Sequence, residues 1–314
     1  MSPPFFSDIS QNINTLLNKD FFHNIPTAVN VSTTTKSGLK FTVNEKQFAK
    51  DGPLQSSIEA KFRDKPTGLI LTQGWTNHNK LNTRIELSSL APGLKTDFMT
   101  SMIPNSVVAP VSATADSTTD TASTASVATT PSLIPTKDIL KTALFNISFV
   151  QPIFAAKGTF DLLKKPNFVG NLTLAHEGFI AGTEFGYDIN AGTVSRYAVA
   201  LSYRAKDYNL GISINDAQLT TASFFQNVSR SLQVGSKATL NPKLGSNVNI
   251  EFATRYLPDS SSQIKAKITD VGKLTVSYKQ DLKPGITLGV GASLDALKLD
   301  EPLHKFGWSL NFSS

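Results

Sequence analysis

The chain has 314 residues, of which 30 are basic and 24 acidic, giving a formal net charge of +6. It contains no cysteine and only 4 histidines, which are scattered along the sequence. We therefore expect no disulfide framework, no thiolate chemistry and no histidine-rich metal site. The modest positive charge is too small to argue for nucleic acid as a partner. No stretch approaches the roughly 18 apolar residues that a spanning helix requires.

The first element in chain order is a short amphipathic helix, predicted from about Ser7 to Lys19. Ser7 or Asp8 can cap its start. Its apolar positions recur at helical spacing and are Ile9, Ile13, Leu16, Leu17 and Phe21. Two interpretations are open: a surface helix packed on a sheet, or a helix lying against the inside wall of a barrel. We expect residues 1–26 to form one segment, without a secretory signal or a cleaved presequence.

From Thr27 onwards, apolar and polar side chains alternate in pieces about nine to eleven residues long. Alternation places the apolar side chains on one face of a strand and the polar ones on the other. The pattern is clear from Val248 to Tyr256 and from Ile286 to Leu294. We therefore predict an all-β domain over residues 27–313. Turn sequences separate its strands, among them Lys65-Pro66-Thr67-Gly68, Ala91-Pro92-Gly93 and Lys283-Pro284-Gly285.

One segment, from about Asn105 to Thr136, breaks this alternation. It consists mainly of Ser, Thr, Ala, Val, Asp and Pro, with almost no large side chains. Such a composition cannot bury enough apolar area to offset the entropy lost on ordering. Residues 105–136 are therefore predicted to be a disordered surface loop inserted between two hairpins.

The alternation fits two kinds of protein. A transmembrane β-barrel would turn its apolar face to lipid and its polar face to a water-filled lumen. The alternative is a soluble β-barrel or sandwich that binds a lipid or a carbohydrate, and a secreted adhesin is a further one. Uniform strand length and charges deep within strands favour the membrane barrel. So do aromatic side chains near predicted strand ends, at Trp75, Tyr203, Tyr256 and Tyr278.

Several motifs resemble a known family. Tyr256-x-x-Asp259-Ser260-x-Ser262, followed by Ala266-Lys267-Ile268-Thr269-Asp270, resembles the signature of the mitochondrial porins, the voltage-dependent anion channels. The opening Ser2-Pro-Pro-Phe-Phe-Ser-Asp8-Ile9 and the segment Gln73-Gly74-Trp75 resemble fungal members. The resemblance covers nearly the whole chain except Asn105–Thr136. At Gln73 many animal members carry a membrane-facing glutamate, so behaviour attributed to that carboxylate is not expected here.

The resemblance implies a barrel of nineteen strands with one parallel closing pair and the N-terminal helix inside the pore. It further implies a voltage-gated, weakly anion-selective pore of the mitochondrial outer membrane that passes ATP, ADP, phosphate and carboxylates. Such a pore is not an enzyme and needs no cofactor. The implied partners are membrane lipids, permeating anions and nucleotides, and the barrel-insertion machinery; a homo-oligomer is left open.

Alternation and resemblance together select the candidate functional residues. Alternation places a set of basic side chains on the predicted lumenal face, including Arg84, Arg196, Arg255, Lys265 and Lys267. The resemblance links Lys19, Lys46, Lys61 and Lys65 to ion selectivity. It also implies a sorting signal, read during barrel insertion, at Lys305, Gly307, Leu310 and Phe312. Lys95 lies in a segment similar to a proposed nucleotide contact, although a plain hairpin turn is the alternative.

Overall fold

The computed structural model describes residues 2–49, 52–104, 140–163, 167–245, 247–300 and 304–314. Its strands form a single sheet of 19 strands that closes on itself. The predicted loop at residues 105–136 lies outside the described residues. The strands are β1 Thr27–Thr34, β2 Lys40–Gln47, β3 Leu54–Asp64, β4 Leu69–Thr76, β5 Leu81–Ala91, β6 Leu94–Met102, β7 Leu140–Val150, β8 Phe154–Asp161, β9 Asn167–His176, β10 Phe179–Asp188, β11 Thr193–Arg204, β12 Tyr208–Asn215, β13 Thr220–Asn227, β14 Leu232–Leu240, β15 Val248–Tyr256, β16 Ser262–Thr269, β17 Lys273–Lys283, β18 Ile286–Asp295 and β19 Lys305–Ser313.

The barrel closes through a parallel pair. Consecutive strands are antiparallel, and β1 pairs with β2 on one side and with β19 on the other. Thr27 lies opposite Trp308 and Val31 opposite Phe312 in the parallel ladder. With an odd number of up-and-down strands, the first and last must run in the same direction. The predicted all-β barrel with nineteen strands and one parallel closing pair is therefore confirmed.

The strand register gives the wall two continuous faces. Lys61 lies opposite Lys40 and Thr72, so these three side chains share one face. Ile58 lies opposite Val43 and Trp75 on the other. Ile58 is 51% exposed and Trp75 is 52% exposed, as are many large apolar side chains on that face. An apolar face turned away from the barrel interior is the reverse of a soluble core.

One detail of the aromatic pattern differs from the expectation. Trp75 and Tyr256 lie at strand ends, but Tyr278 lies at the centre of β17, which continues to Lys283. Alternation is hard to see beyond Tyr278 because Gln280 takes an outward position opposite Leu288. Tyr278 therefore does not belong to an aromatic belt at the strand ends.

The N-terminal segment is less helical than predicted. A 3-10 turn at Phe6–Asp8 precedes helix α1, Gln11–Asn18, and a second 3-10 turn covers Phe22–Asn24. The cap is not at Ser7 or Asp8, because helix α1 begins only at Gln11. Ser10 occupies the N-cap without a side-chain hydrogen bond. The predicted apolar stripe is nevertheless buried at all five positions: Ile9, Ile13, Leu16, Leu17 and Phe21.

The stripe packs against the inner face of the barrel wall. Ile13, Leu16 and Leu17 form one cluster with Phe225 and Ala253. Ala253 lies on the same face of β15 as Glu251 and Arg255, so the cluster faces the lumen. The prediction of a helix inside the pore is confirmed. Among the described residues, no helix has the length and apolar character needed to cross a membrane.

Small residues in the wall allow the N-terminal segment to approach closely. A Cβ atom built on Gly235 would lie 2.5 Å from Ile13 Cδ1 and 2.9 Å from Leu16 Cδ2. On β18 and β19, Gly289 and Gly307 leave room for Phe22 in the same way. Larger side chains at these positions would push the segment off the wall.

Candidate functional site: the charged lumen and its helix

Three of the predicted cations are already paired with carboxylates. Arg84 on β5 donates two hydrogen bonds to Asp97, at 3.0 and 2.8 Å. Arg196 lies 3.1 Å from Glu184, and Lys267 lies 2.7 Å from Glu251. These pairs place opposite charges side by side on the inner face. Their contribution to the lumenal potential is therefore smaller than alternation alone suggests.

Lys265 is on the inner face but it is not solvated. Only 2% of the residue is exposed, because the end of helix α1 covers it. Its Nζ donates to the carbonyl oxygens of Lys19, at 2.6 Å, and Thr15, at 3.1 Å. It also lies 4.7 Å from the centre of the Phe21 ring. Lys265 therefore caps the negative end of the helix, so the expectation that its charge faces open water is wrong.

A chain of polar side chains extends this attachment. Gln263 donates to the Asp20 carboxylate at 3.4 Å and accepts from Arg255 Nε at 2.8 Å. Arg255 also donates to Gln233, at 3.3 Å. Asp20, which has a left-handed backbone with φ of 60°, lies 3.8 Å from Lys279 Nζ. Arg255 is thus held by neutral amides and keeps its full charge beside the helix.

Three further predicted cations have neither an ion pair nor a side-chain hydrogen bond within the described part of the chain. Lys19 ends helix α1 and is exposed. Lys46 is exposed on the inner face of β2, opposite Gln55. Lys61 is half-buried on β3, with Lys40 as its cross-strand neighbour. Because no carboxylate pairs with them, these side chains add positive potential to the lumen.

Two further predicted residues lie away from the middle of the wall. Lys65 follows the last residue of β3 and is exposed in the turn before β4, so it lies at the rim. Lys95 is the second residue of β6 and not part of the hairpin turn. It lies opposite Ser148, whose hydroxyl donates to the Lys95 carbonyl oxygen at 3.3 Å. Lys95 therefore faces the lumen near one mouth.

The predicted sorting signal is contained in the closing strand. Leu310 and Phe312 lie opposite Val29 and Val31 on the outer face. Lys305 and Gly307 lie on the inner face, opposite Ser293 and Gly291. A Cβ on Gly307 would collide with the carbonyl oxygens of Phe22 and Ile25. Gly307 is thus required by packing, whatever its role in sorting.

Sequence reasoning missed Asp97 and His23. Asp97 precedes an apolar position on a weakly alternating strand, and only the pairing with Arg84 reveals its role. His23 is buried, and its Nδ1 has no hydrogen-bond partner among the described residues. Burial, then the nearby charges of Lys273, Lys305 and Lys267, lower the pKa of His23 below its usual 6.5. The only indication of His23 in the sequence was its position next to Phe22, near the end of the N-terminal segment.

The signature Asp259 has a local structural role. Its carboxylate accepts from the backbone N–H and the hydroxyl of Ser261, both at 2.8 Å. These hydrogen bonds lower the pKa of the Asp259 carboxyl, chiefly through the Ser261 side chain. The residue shapes the β15–β16 turn and does not line the lumen.

Taken together, these features define a class of protein. Barrels of 16–18 strands leave an aqueous channel, and a 19-stranded barrel is wider still. One helix about 10–12 Å across does not fill it. A polar lumen with an exposed apolar exterior defines a β-barrel pore. No group of three or more potential metal-ligating side chains occurs among the described residues.

Comparison with known proteins places the chain within that class. The family description "Eukaryotic porin" matches residues 2–127 and 111–307. The chain is 55% identical to the "Non-selective voltage-gated ion channel 1" of Saccharomyces cerevisiae, over 100% of both chains. It is 42% identical to the "Mitochondrial outer membrane protein porin" of Candida albicans and 36% identical to that of Neurospora crassa, each over 100% of both chains. The chain belongs to the eukaryotic porin family, and the soluble alternative is not favoured.

Proposed function

We propose that this chain forms a voltage-gated pore of the mitochondrial outer membrane that passes small metabolites with a weak preference for anions. The observation that carries the proposal is the division of the barrel wall. Apolar side chains such as Ile58 and Trp75 are exposed outside, whereas basic residues such as Lys61 and Arg255 lie inside. The names of the yeast and Candida relatives support voltage gating and the location.

The preference for anions follows from the balance of lumenal charge. Unpaired cations at Lys19, Lys46 and Lys61 are joined by Arg255, which is bound only to amides. Three lumenal carboxylates, Asp97, Glu184 and Glu251, are each paired with a neighbouring cation, whereas Glu59 on β3 has no ion pair among the described residues. Net positive potential raises the local concentration of anions such as ATP, ADP, phosphate and carboxylates. Because several pairs cancel, the preference is weak.

The same charges supply a source of voltage gating. Moving one elementary charge through 100 mV changes the free energy by about 2.3 kcal/mol. A few unpaired cations that move within the transmembrane field would therefore be enough to make the balance between open and closed states depend on voltage. The chemistry of a pore requires no catalytic group and no cofactor, and we propose none.

Reconstitution in a planar bilayer with a salt gradient tests this function. We expect the sign of the reversal potential to show a preference for anions. We also expect the conductance to fall at high voltage. A double variant in which both Lys19 and Lys61 are replaced by Glu should have a reversal potential shifted toward that of a cation-selective pore. A wild-type reversal potential of zero, or no change in the double variant, would contradict the proposal.

A further inference from the structure

A cavity of about 680 Å³ lies inside one mouth of the barrel, where the turns after β9 and β11 meet the N-terminal segment. Arg204, Asn209 and Asn227 line it from the wall, and Pro4 and Asn12 line it from the N-terminal segment. Its volume is in the range of small-molecule sites. It is separate from the Lys265 attachment at the other end of helix α1.

Arg204 is the unusual member of this cavity. Its Nε atom is buried and has no hydrogen-bond acceptor, and no carboxylate of the described residues forms an ion pair with it. The other lumenal arginines considered above, Arg84, Arg196 and Arg255, each have a partner within 3.3 Å. Leaving a buried guanidinium N–H without an acceptor is costly. A guanidinium group beside a cavity, with no protein acceptor for its Nε–H, is suited to bind the oxygens of an anion.

A neighbouring amide also presents a donor. Arg255 donates to Gln233 Oε1, which turns Gln233 Nε2 toward Asn227 Oδ1 at 3.0 Å. The oxygen of Asn227 is therefore occupied, and its amide N–H groups remain to donate. Asn227 lines the same cavity as Arg204. The polar groups thus favour an acceptor-rich ligand.

The fixed charges around the cavity are net positive. Arg204 and Lys206 line it, and among the described residues its one lining carboxylate belongs to Glu177. Glu177 lies 3.8 Å from His176 Nε2, and both side chains are largely exposed to solvent. The remaining walls include Pro152 and Phe225, which offer an apolar flank. A small anion with an attached less polar group fits this combination.

We propose that this cavity binds the phosphate group of an anionic metabolite, with Arg204 as its main ligand and Asn227 as a second donor. The inference rests on the proposed pore function, because it assigns a docking position at the mouth to the permeating anions. Guanidinium groups bind phosphate oxygens in a paired, planar geometry that an ammonium group cannot reproduce.

The test uses the full chain in nanodiscs of phosphatidylcholine, which supplies no net-anionic headgroup. ADP, inorganic phosphate and adenosine are titrated by calorimetry. We expect ADP and phosphate to bind and adenosine not to. Arg204→Gln should weaken ADP binding at least tenfold. The matched control is Arg230→Gln, which makes the same change in an exposed turn on the same rim and should leave the affinity unchanged.

The outcomes separate this site from the pore function. Equal ADP affinity in the two variants, or adenosine binding as tightly as ADP, overturns the site. If Arg204→Gln fails to give channels of wild-type conductance, Arg204→Lys replaces it and should still lose several-fold affinity relative to Arg230→Lys. The wild-type reversal potential is measured in parallel. If the wild-type pore prefers anions but the Arg204 variants bind ADP normally, only the docking site is disproved. If the wild-type pore shows no anion preference, the proposed function is disproved.

Discussion

The ammonium group of Lys265 lies 2.6 Å from the backbone carbonyl oxygen of Lys19, at the end of the lumenal helix. One lysine of the wall therefore binds the residue that ends the helix, and the other lysine points into the lumen. The two charges have different roles although both occur in predicted lumenal positions. Lys265 stabilises the docked segment, and we propose that Lys19 contributes to the positive potential that permeating anions meet.

Replacing Lys265 with Met should weaken docking of the N-terminal segment. The substitution keeps much of the side-chain volume but removes two charged hydrogen bonds, each worth about 1.5–3 kcal/mol. We expect faster cleavage of the segment by added protease and closure at lower voltage. The reversal potential should change little, because the Lys265 charge is already offset by the helix end and Asp20.

Lys61→Met is the matched control for that experiment. It removes an unpaired lumenal charge that does not touch the helix, so the reversal potential should move and protease protection should not. If the two variants shift the reversal potential equally and leave protection intact, the distinction drawn here between the two lysines is wrong.

Gly235→Ala should also loosen the helix, by steric contact instead of lost hydrogen bonds. The added Cβ would lie 2.5 Å from Ile13 Cδ1, and overpacking of this kind costs about 1–3 kcal/mol. We expect less protease protection of residues 1–26. Gly74→Ala serves as the control, because the nearest atom to its Cβ, the Ile58 carbonyl oxygen, is 3.7 Å away. Equal protection in both variants would argue against close helix–wall packing.

Gly307→Ala separates packing from sorting. The new Cβ would meet the backbone carbonyl oxygens of Phe22 and Ile25, which cannot move independently. We expect poor refolding in detergent, where no insertion machinery is present, as measured by recovery of β-sheet circular dichroism. Leu310→Ala changes an outward side chain of the same strand and should refold. Normal refolding of Gly307→Ala would contradict the packing role and leave sorting as the only role of Gly307.

Asp97→Asn should increase the preference for anions. It removes the carboxylate that lies 2.8 Å from Arg84 and leaves Glu86, at 3.2 Å, as the remaining carboxylate partner of the guanidinium, so the lumen gains one net positive charge. Stability should change by less than about 1 kcal/mol, because the Arg84 side chain is partly exposed. The reversal potential in a salt gradient measures the effect. Asp270→Asn, in the exposed β16–β17 turn, carries the same charge change and should have no effect.

Docking of the N-terminal segment should weaken in acid through His23. The pKa of His23 is below its ordinary value of 6.5 in the docked state, so protonation favours the undocked state. The stabilisation is therefore complete above pH 6.5 and is lost as the pH falls through the lowered pKa. Protease protection compared between about pH 8 and about pH 5 should decline in the wild type.

His23→Gln should lose most of that pH dependence, since no charge can form at the position. His78→Gln, in the exposed β4–β5 turn, should behave as the wild type. A decline of the same size in the His23 variant would show that another group controls docking.

The sequence alone determined that the domain is all-β and which side chains share a face of each strand, because side-chain alternation is a local property of each strand. Val248 to Tyr256 indicated its outward and lumenal positions without reference to any other strand. The apolar stripe from Ile9 to Phe21 likewise predicted which side of the helix is buried. The strand number came from resemblance, since weak turns leave the boundaries open.

Only the tertiary structure decided which lumenal charges act on ions. Alternation treats Lys61, Lys265 and Lys267 as equivalent, whereas their states depend on partners far away in the chain. Lys267 is neutralised by Glu251 on the next strand, Lys265 is buried under Thr15 and Lys19, and Lys61 has no carboxylate partner in the described chain. The strength of an electrostatic interaction depends on the distance between two charges in space and not on their separation in the sequence. Barrel closure and helix docking set those distances.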